Sequence, residues 1–184
     1  PGHSNDSYAD VAAAIEAGLT GVTHLFNAMS PLGNREPGVV GAALESDRTW
    51  CGIIVDGHHV SPVTLKLALR CKPPDKFMLV TDAMPSVGSA TKEFMLQGKR
   101  ITARDGVCFD PSGTLAGSDL DMASAVRNAI ESLEIAPETA FLMASGAPAT
   151  FLGIGTDCGT IASGLRADLV LLDDELHVRE TWVG

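Results

Sequence analysis

The residues of this 184-residue sequence that could do chemistry lie directly after short apolar runs or at the start of the chain: His3, His24, Asp56, His58, His59 and Asp82. Two imidazoles and a carboxylate that meet at one place can hold a divalent metal ion and move a proton. The sequence therefore predicts metal-assisted hydrolysis, provided that the fold brings these positions together.

Each of these residues also has a plain structural interpretation. A single histidine at a strand end is often held in the fold without binding a ligand, and Asp82 could cap the turn that follows it. His58 and His59 point to opposite sides of an extended chain, so at most one of them can face a shared site. Arg35 lies in a loop rich in glycine and proline and could simply be solvated. The residues alone predict a metal-dependent α/β hydrolase.

The apolar runs that would position these side chains predict buried strands over residues 21–26, 50–55 and 77–81. The runs are apolar throughout instead of alternating, and predicted helices over 7–17, 39–45 and 61–70 separate them, with Asn5 or Ser7 as the first cap and Ser61 as the last. This order is typical of parallel βα units. The carboxyl ends of parallel strands meet at one edge of a sheet, so the histidines and Asp82 are expected to converge there.

The rest of the chain follows a different pattern. We expect a β-hairpin insertion over residues 93–110, helices over 121–133, 137–144 and 148–152, and a small separate sheet from strands at 167–173 and 177–183. Three βα units and the end of a fourth cannot close an eight-stranded barrel, which takes about 250 residues. An open doubly wound sheet is possible, but no glycine-rich phosphate loop follows any of the strands.

The composition excludes several kinds of partner. The chain has 13 Lys and Arg against 23 Asp and Glu, a net charge of −10, so a nucleic acid or an anionic membrane surface is not expected. It has no apolar run long enough for a membrane span and no signal-peptide pattern. The four scattered cysteines contain no CxxC pair and indicate reduced thiols, so we expect a cytoplasmic protein.

Several short motifs follow one another along the chain: GHS at 2–4, THLFNAM at 23–29, REPG at 35–38, DGHHV at 56–60, VTDA at 80–83, LAGS at 115–118, and the closing GTI at 159–161 and GLRADLV at 164–170. Together they resemble the N-acetylglucosamine-6-phosphate deacetylases of the amidohydrolase superfamily. THLFNAM and REPG are specific to that family, whereas the closing motifs are shared across the amidohydrolases. The resemblance covers essentially the whole chain.

The resemblance implies an architecture. Residues 1–155 would be the C-terminal part of a (β/α)8 TIM-type barrel with a β-hairpin insertion, and residues 156–184 the C-terminal strands of a small β-sandwich domain. The glutamate metal ligand and the carbonyl-polarising histidine of the family lie on earlier strands that have no counterpart here. The chain also begins without methionine. We therefore expect a piece of a longer protein that is inactive, or nearly so, by itself.

The resemblance also implies a reaction, the metal-dependent deacetylation of N-acetylglucosamine 6-phosphate to glucosamine 6-phosphate and acetate. His3 and His24 would bind the metal ion, for which zinc is the first choice and iron(II) the second. Asp82 would take a proton from the attacking water and then pass a proton to the leaving amine nitrogen.

The remaining site residues would bind the phosphorylated amino sugar. His59, Asn27 and Ala28 would hold it, and Ala116, Gly117 and Ser118 would line the sugar pocket. Arg35 would reach the phosphate from the neighbouring subunit of a homodimer, since a guanidinium fork suits a phosphate dianion.

Two alternatives stay open. Another amidohydrolase could act on a related amino-sugar phosphate, because the motifs do not fix the stereochemistry of the sugar. A non-catalytic sugar-phosphate-binding relative is the other, although a mere binder would not need His3, His24 and Asp82 together.

Overall fold

The computed structural model describes residues 1–184, and in it the three predicted buried strands form one parallel sheet. The strands β1 (Gly21–Val22), β2 (Trp50–Ile53) and β3 (Phe77–Leu79) lie in the order β1-β2-β3. All three are shorter than predicted and end before the residues that could do chemistry. The α/β class is therefore confirmed, while the carboxyl ends of the strands are irregular.

Six α-helices accompany the strands: α1 (Tyr8–Glu16), α2 (Gly38–Glu45), α3 (Pro62–Leu69), α4 (Met122–Leu133), α5 (Pro137–Phe141) and α6 (Ala147–Phe151). A 3₁₀ turn spans Pro74–Lys76, and a π-helical turn over Leu142–Gly146 joins α5 to α6. The two helices predicted over 137–152 are therefore one continuous helical segment. Ser7 caps α1 by accepting a hydrogen bond from the Asp10 N–H, as predicted. The predicted cap at Ser61 is wrong in that its side chain makes no capping hydrogen bond.

The insertion after β3 is larger than the predicted hairpin. It is an antiparallel sheet of four strands in sequence order, β4 (Glu93–Leu96), β5 (Lys99–Arg104), β6 (Val107–Phe109) and β7 (Leu115–Ser118). Its first two turns have positive φ at both central residues, which is the geometry that tight hairpins favour. The fourth strand was not predicted. It returns to the parallel sheet through a bridge between Ala83 and Ser118.

A third sheet pairs β8 (Leu169–Leu172) with β9 (Val178–Trp182) in antiparallel fashion. Every residue of β9 is exposed. No helix in the chain has the length and apolar character that crossing a membrane requires.

The main hydrophobic core lies between the parallel sheet and helices α1 to α5 and contains 23 buried residues, with Leu25, Ile53, Phe77 and Met143 among the largest. A smaller cluster of Ile54, Leu120 and Ala125 lies just beyond β2. It supports the chain where β2 and β3 end, which is the edge that carries the candidate residues.

The amino ends of the strands are held by a buried lysine. Lys72 is 5% exposed, and its Nζ donates to the carbonyl oxygens of Ala43, Ser46 and Thr49 at 2.7, 2.8 and 2.9 Å and to the Thr49 hydroxyl at 2.8 Å. These acceptors lie at the C-terminal end of α2 and directly before β2, where a helix favours a positive charge. Burial lowers the pKa of Lys72.

Candidate active site

Two histidine rings meet at the carboxyl edge of the parallel sheet. The ring centroids of His3 and His24 are 5.0 Å apart, with the ring planes at 80°. Residues 1–4 lie beside β1, since the Thr23 N–H donates to the Pro1 carbonyl at 3.0 Å and Ser4 forms a parallel bridge with Met29. His3 is exposed and His24 is 8% exposed. The convergence predicted from the strand order is therefore present for this pair.

The ring of His24 is held by its own loop. Its Nδ1 lies 3.2 Å from the Asn27 carbonyl oxygen, which leaves Nε2 for an outside ligand. A Cβ added to Gly2 would come within 2.9 Å of the Thr23 methyl and 3.5 Å of His24 Nε2, so a glycine at this position keeps the approach to Nε2 open. A backbone carbonyl that orients one ring nitrogen is the usual support of a metal-binding histidine.

The loop that carries His24 is strained. His24, Phe26 and Ala28 have φ values of 33°, 79° and 50°, a region that costs non-glycine residues about 1–3 kcal/mol each. The Leu25 N–H donates to Gly52 at 2.8 Å, and the Ser4 N–H donates to Ala28 at 3.0 Å. Strain of this kind persists only where surrounding contacts fix it, and it clusters at functional sites.

The Asn27 side chain belongs to the same support. Its Nδ2 donates to the His24 and Leu25 carbonyl oxygens, each at 3.3 Å. Ala28 is exposed beside it. Contact of Asn27 and Ala28 with a substrate stays a prediction.

Asp82 lies three residues beyond β3 with φ 52° and is exposed. Its carboxylate accepts no hydrogen bond within the chain, so the side chain does not cap the following turn. Its main-chain carbonyl accepts a hydrogen bond from the Ser118 N–H at 2.9 Å. The structure thus presents the carboxylate of Asp82 to solvent on a fixed backbone, and proton transfer by this group stays a prediction.

Strand β7 fixes this turn. Ser118 is fully buried, its hydroxyl donates to the Thr81 carbonyl, and its carbonyl accepts from the Met84 N–H at 2.9 Å. The contact observed for Ser118 is therefore with the backbone on either side of Asp82. Ala116 and Gly117 are half-buried on the same strand. The lining of a sugar pocket by Ala116, Gly117 and Ser118 stays a prediction.

Replacement of Gly117 by alanine is expected to destabilise the protein by about 3 kcal/mol. Gly117 has φ +96°, and an added Cβ would lie 2.7 Å from the Met84 side chain and 3.0 Å from the Asp82 carbonyl oxygen. Gly113→Ala is the matched control, because Gly113 has φ +83° with open space around it. The control should cost only the backbone strain, about 1–2 kcal/mol. Urea unfolding of both variants measures the difference, and equal midpoints would contradict the crowding argument.

Asp56 and His59 form a close pair beside Asp82. Asp56 Oδ2 lies 2.5 Å from His59 Nδ1, and Asp56 Oδ1 accepts the backbone N–H groups of His58 and His59, each at 2.9 Å. The two side chains are only 5% (His59) and 2% (Asp56) exposed, whereas His58 is exposed. The two histidines therefore differ in burial, and the expectation that at most one of them faces the shared site stays a prediction.

Asp56 and His59 shift each other's pKa in the direction that favours the charged forms. The hydrogen bond to Asp56 raises the pKa of His59 against the effect of burial, and the charges of Asp56 and Asp82 act in the same direction. Burial alone would raise the pKa of Asp56, but the hydrogen bonds from the His59 ring and from the backbone of His59 and His58 hold it below its usual range. The hydrogen bonds and charges of the pair therefore both favour the imidazolium form of His59 beside an ionised Asp56. The role of Asp56 was not predicted, and its only sequence signal is its position three residues before His59.

Arg35 does not join the other candidate residues. It is exposed in the loop before α2 and forms no ion pair. The next residue, Glu36, shapes that loop, since its Oε1 accepts the N–H groups of Tyr8 at 2.7 Å and Gly38 at 2.9 Å, which lowers the pKa of Glu36. The guanidinium of Arg35 is thus unpaired on a shaped loop.

The fit to a metal ion is partial. His3 and His24 offer two imidazoles, but the chain contains no group of three or more His, Cys, Asp or Glu side chains that could hold a metal ion. A zinc centre takes three or four protein ligands. The pair therefore supplies part of a metal shell and would need at least one further ligand.

Known proteins place this geometry in context. The amidohydrolase family matches residues 2–184. An N-acetylgalactosamine-6-phosphate deacetylase of Shewanella sp. (strain ANA-3) is 47% identical over 99% of the chain and 46% of its own length. An N-acetylglucosamine-6-phosphate deacetylase of Vibrio furnissii is 38% identical over 99% of the chain and 45% of its own length.

A solved structure of a deacetylase has the same fold as this chain. The crystal structure of N-acetylglucosamine-6-phosphate deacetylase from Pasteurella multocida superposes with a TM-score of 0.94 at 41% identity, and covers 99% of the chain and 48% of its own chain. The chain thus spans about half the length of the curated relatives that it matches.

Proposed function

The chain belongs to the amidohydrolase family, and from this premise we propose that it supplies the C-terminal half of a deacetylase for N-acetylated amino-sugar 6-phosphates. The reaction is the hydrolysis of the acetamide, which for N-acetylglucosamine 6-phosphate yields glucosamine 6-phosphate and acetate. The observation that carries the proposal is the meeting of the His3 and His24 rings at the sheet edge where Asp82 presents its free carboxylate.

The epimer of the sugar is a second question. The family resemblance names N-acetylglucosamine 6-phosphate, but the motifs favour only a phosphorylated sugar and do not fix its stereochemistry. The Shewanella relative, 47% identical, is named for the galactosamine epimer instead. The two sugars differ in the direction of one ring hydroxyl, so both belong in any assay.

His3 and His24 would hold the metal ion, with zinc as the first choice and iron(II) as the second. When bound, a divalent ion lowers the pKa of water and polarises the amide carbonyl. The two imidazoles supply only part of its shell, and the glutamate that the family resemblance implies on another strand would complete it.

Asp82 would move the proton. Its exposed carboxylate accepts a proton from the attacking water and returns one to the leaving amine nitrogen, so that the amine leaves neutral. The hydrogen bond from the Ser118 N–H to the main-chain carbonyl of Asp82 fixes the backbone that carries this carboxylate.

The phosphosugar would be bound by His59, Asn27 and Ala28 beside this group, with Ala116 to Ser118 along the sugar. Arg35 would bind the phosphate of the substrate that sits in the partner subunit's site of a homodimer. Its exposure and its lack of an ion pair support this role, because a guanidinium without a local partner is available to a neighbouring site.

The architecture of the parent protein belongs to the same proposal. Residues 1–155 would form the C-terminal part of a TIM-type barrel, and residues 156–184 would add two strands to a small β-sandwich. Every residue of β9 is exposed, which supports the proposal that further strands of the parent protein cover the β8–β9 sheet. The protein would work in the cytoplasm, in amino-sugar catabolism.

The test is a chimaera in which the N-terminal part of the Shewanella relative, up to the start of the match, precedes Pro1. We expect the zinc-loaded chimaera to release acetate from at least one of the two N-acetylhexosamine 6-phosphates, and the preferred epimer identifies the sugar. A folded, zinc-containing chimaera that hydrolyses neither would overturn the proposal.

The 184-residue chain alone is expected to show less than about one-thousandth of the chimaera's turnover, because two imidazoles do not complete a metal site. Elemental analysis of the purified chain, with His3→Ala and His24→Ala beside it, reports on the same point. Normal turnover by the chain alone would contradict this prediction without touching the assignment of the reaction.

A further inference from the structure

We propose that Asp56 is a positioning residue that holds His59 as a donor-only group, with Nε2–H reserved for an anionic oxygen of the substrate. The inference rests on the proposed function and deepens it, because it says how the chain would recognise a phosphorylated sugar.

The carboxylate of Asp56 is itself fixed. Its Oδ1 accepts two backbone N–H groups, those of His58 and His59, at 2.9 Å, and its Oδ2 lies 2.5 Å from His59 Nδ1. Both oxygens are thus committed within a single turn. A carboxylate that is 2% exposed cannot turn to water when the ring moves, so rotation of His59 would leave a buried charge without a partner.

The ring can therefore offer only one atom. Its Nδ1–H is donated to Asp56, which leaves Nε2 as the sole polar atom for a ligand. Two carboxylates act on the ring, Asp56 from its own turn and Asp82 from the end of β3, and both favour the imidazolium. An imidazolium has no acceptor lone pair, so its preferred partner is an acceptor with negative charge, such as a phosphate oxygen.

The Asp56→Asn variant separates charge from orientation. The backbone N–H groups would keep the Asn carbonyl oxygen in the place of Oδ1, and the amide nitrogen would then donate to His59 Nδ1. The ring would retain its orientation and its Nε2–H, but it would become neutral. The variant should therefore lose the positive charge and keep the donor.

Histidine NMR on the 184-residue chain tests the first half of the inference without any activity. We expect the wild-type His59 ring to carry its proton on Nδ1 and to titrate above the ordinary value, and Asp56→Asn to lower its titration midpoint by about one pH unit or more. Asp173→Asn is the matched control. Asp173 also accepts two backbone N–H groups of its turn, but its histidine neighbour, 3.5 Å away, is the half-exposed His177, so this substitution should leave the His59 midpoint unchanged.

A His59 ring that titrates at the ordinary value in the wild-type chain would overturn the proposal, even if Asp56→Asn fails to fold. An unchanged His59 midpoint in a folded Asp56→Asn variant would do the same.

Kinetics of the chimaera test the second half. Asp56→Asn should raise KM for the phosphorylated substrate about tenfold with kcat within about threefold of the parent. The increase in KM should disappear or reverse above the His59 midpoint, where the neutral parent ring keeps its proton on Nδ1 and no longer offers Nε2–H. A fall in kcat at constant KM would contradict the substrate-binding role. If the chimaera is inactive, the proposed function fails, while the NMR result still decides whether Asp56 holds His59.

Discussion

Replacement of Lys72 by methionine is expected to lower the free energy of unfolding by about 3 kcal/mol. Methionine fills a similar volume, but it leaves the carbonyl oxygens of Ala43, Ser46 and Thr49 without the ammonium that they share. A buried acceptor that loses its partner costs about 1–3 kcal/mol, and the release of a buried cation returns part of this. The Thr49 carbonyl carries most of the cost, because the Thr49 hydroxyl still donates to the carbonyl oxygens of Ala43 and Ser46. Urea unfolding followed by circular dichroism measures the change.

Lys66→Met is the matched control. The Lys66 ammonium lies 2.6 Å from Glu134, but the two side chains are 30% and 77% exposed, so solvent screens the pair. Its loss should cost less than about 1 kcal/mol. If both variants unfold at the same urea concentration, the four hydrogen bonds of Lys72 do not stabilise the fold more than the exposed Lys66 ion pair does.

Replacement of Asp82 by asparagine in the chimaera is expected to lower kcat about a thousandfold at an unchanged zinc content. Asparagine has the same shape, tolerates a φ of 52°, and leaves the main-chain carbonyl free to accept the Ser118 N–H. It cannot accept the proton of the attacking water or return one to the amine. The loss should therefore appear in the chemical step and leave KM nearly as it was.

Asp105→Asn controls for the backbone, since Asp105 is also exposed and has φ 54° in the turn between β5 and β6. It should leave kcat and stability unchanged. Near-normal kcat in Asp82→Asn would assign the proton transfer to another group.

The strands of the parallel sheet could be predicted because each is a short run of buried apolar residues. Their ends could not. After Val22 the chain leaves the strand, and the positive φ values of His24 and Ala28 depend on hydrogen bonds to Gly52 and from Ser4, which come from distant parts of the sequence. Tertiary contacts of this kind override a local preference for the extended conformation.

The candidate site shows the same division. The meeting of His3 and His24 follows from parallel strand ends and was predictable. The hydrogen bond between the Asp56 carboxylate and the His59 ring could not be predicted, because an aspartate three residues before a histidine is an ordinary turn pattern. Strand β7 escaped prediction because its four residues include a glycine and show no alternation. The burial of Ser118 against the turn of Asp82 was missed with it.

The buried ammonium of Lys72 and the strained loop of His24 lie at opposite ends of the same strands, and this separation has a consequence for the response of the protein to heat. Three left-handed residues in the loop draw on the stability that the rest of the fold provides. A substitution at the Lys72 end would remove part of that stability and leave every candidate site residue in place. Such variants should be temperature-sensitive: they would fold at low temperature and unfold at a temperature a few degrees lower than the parent chain.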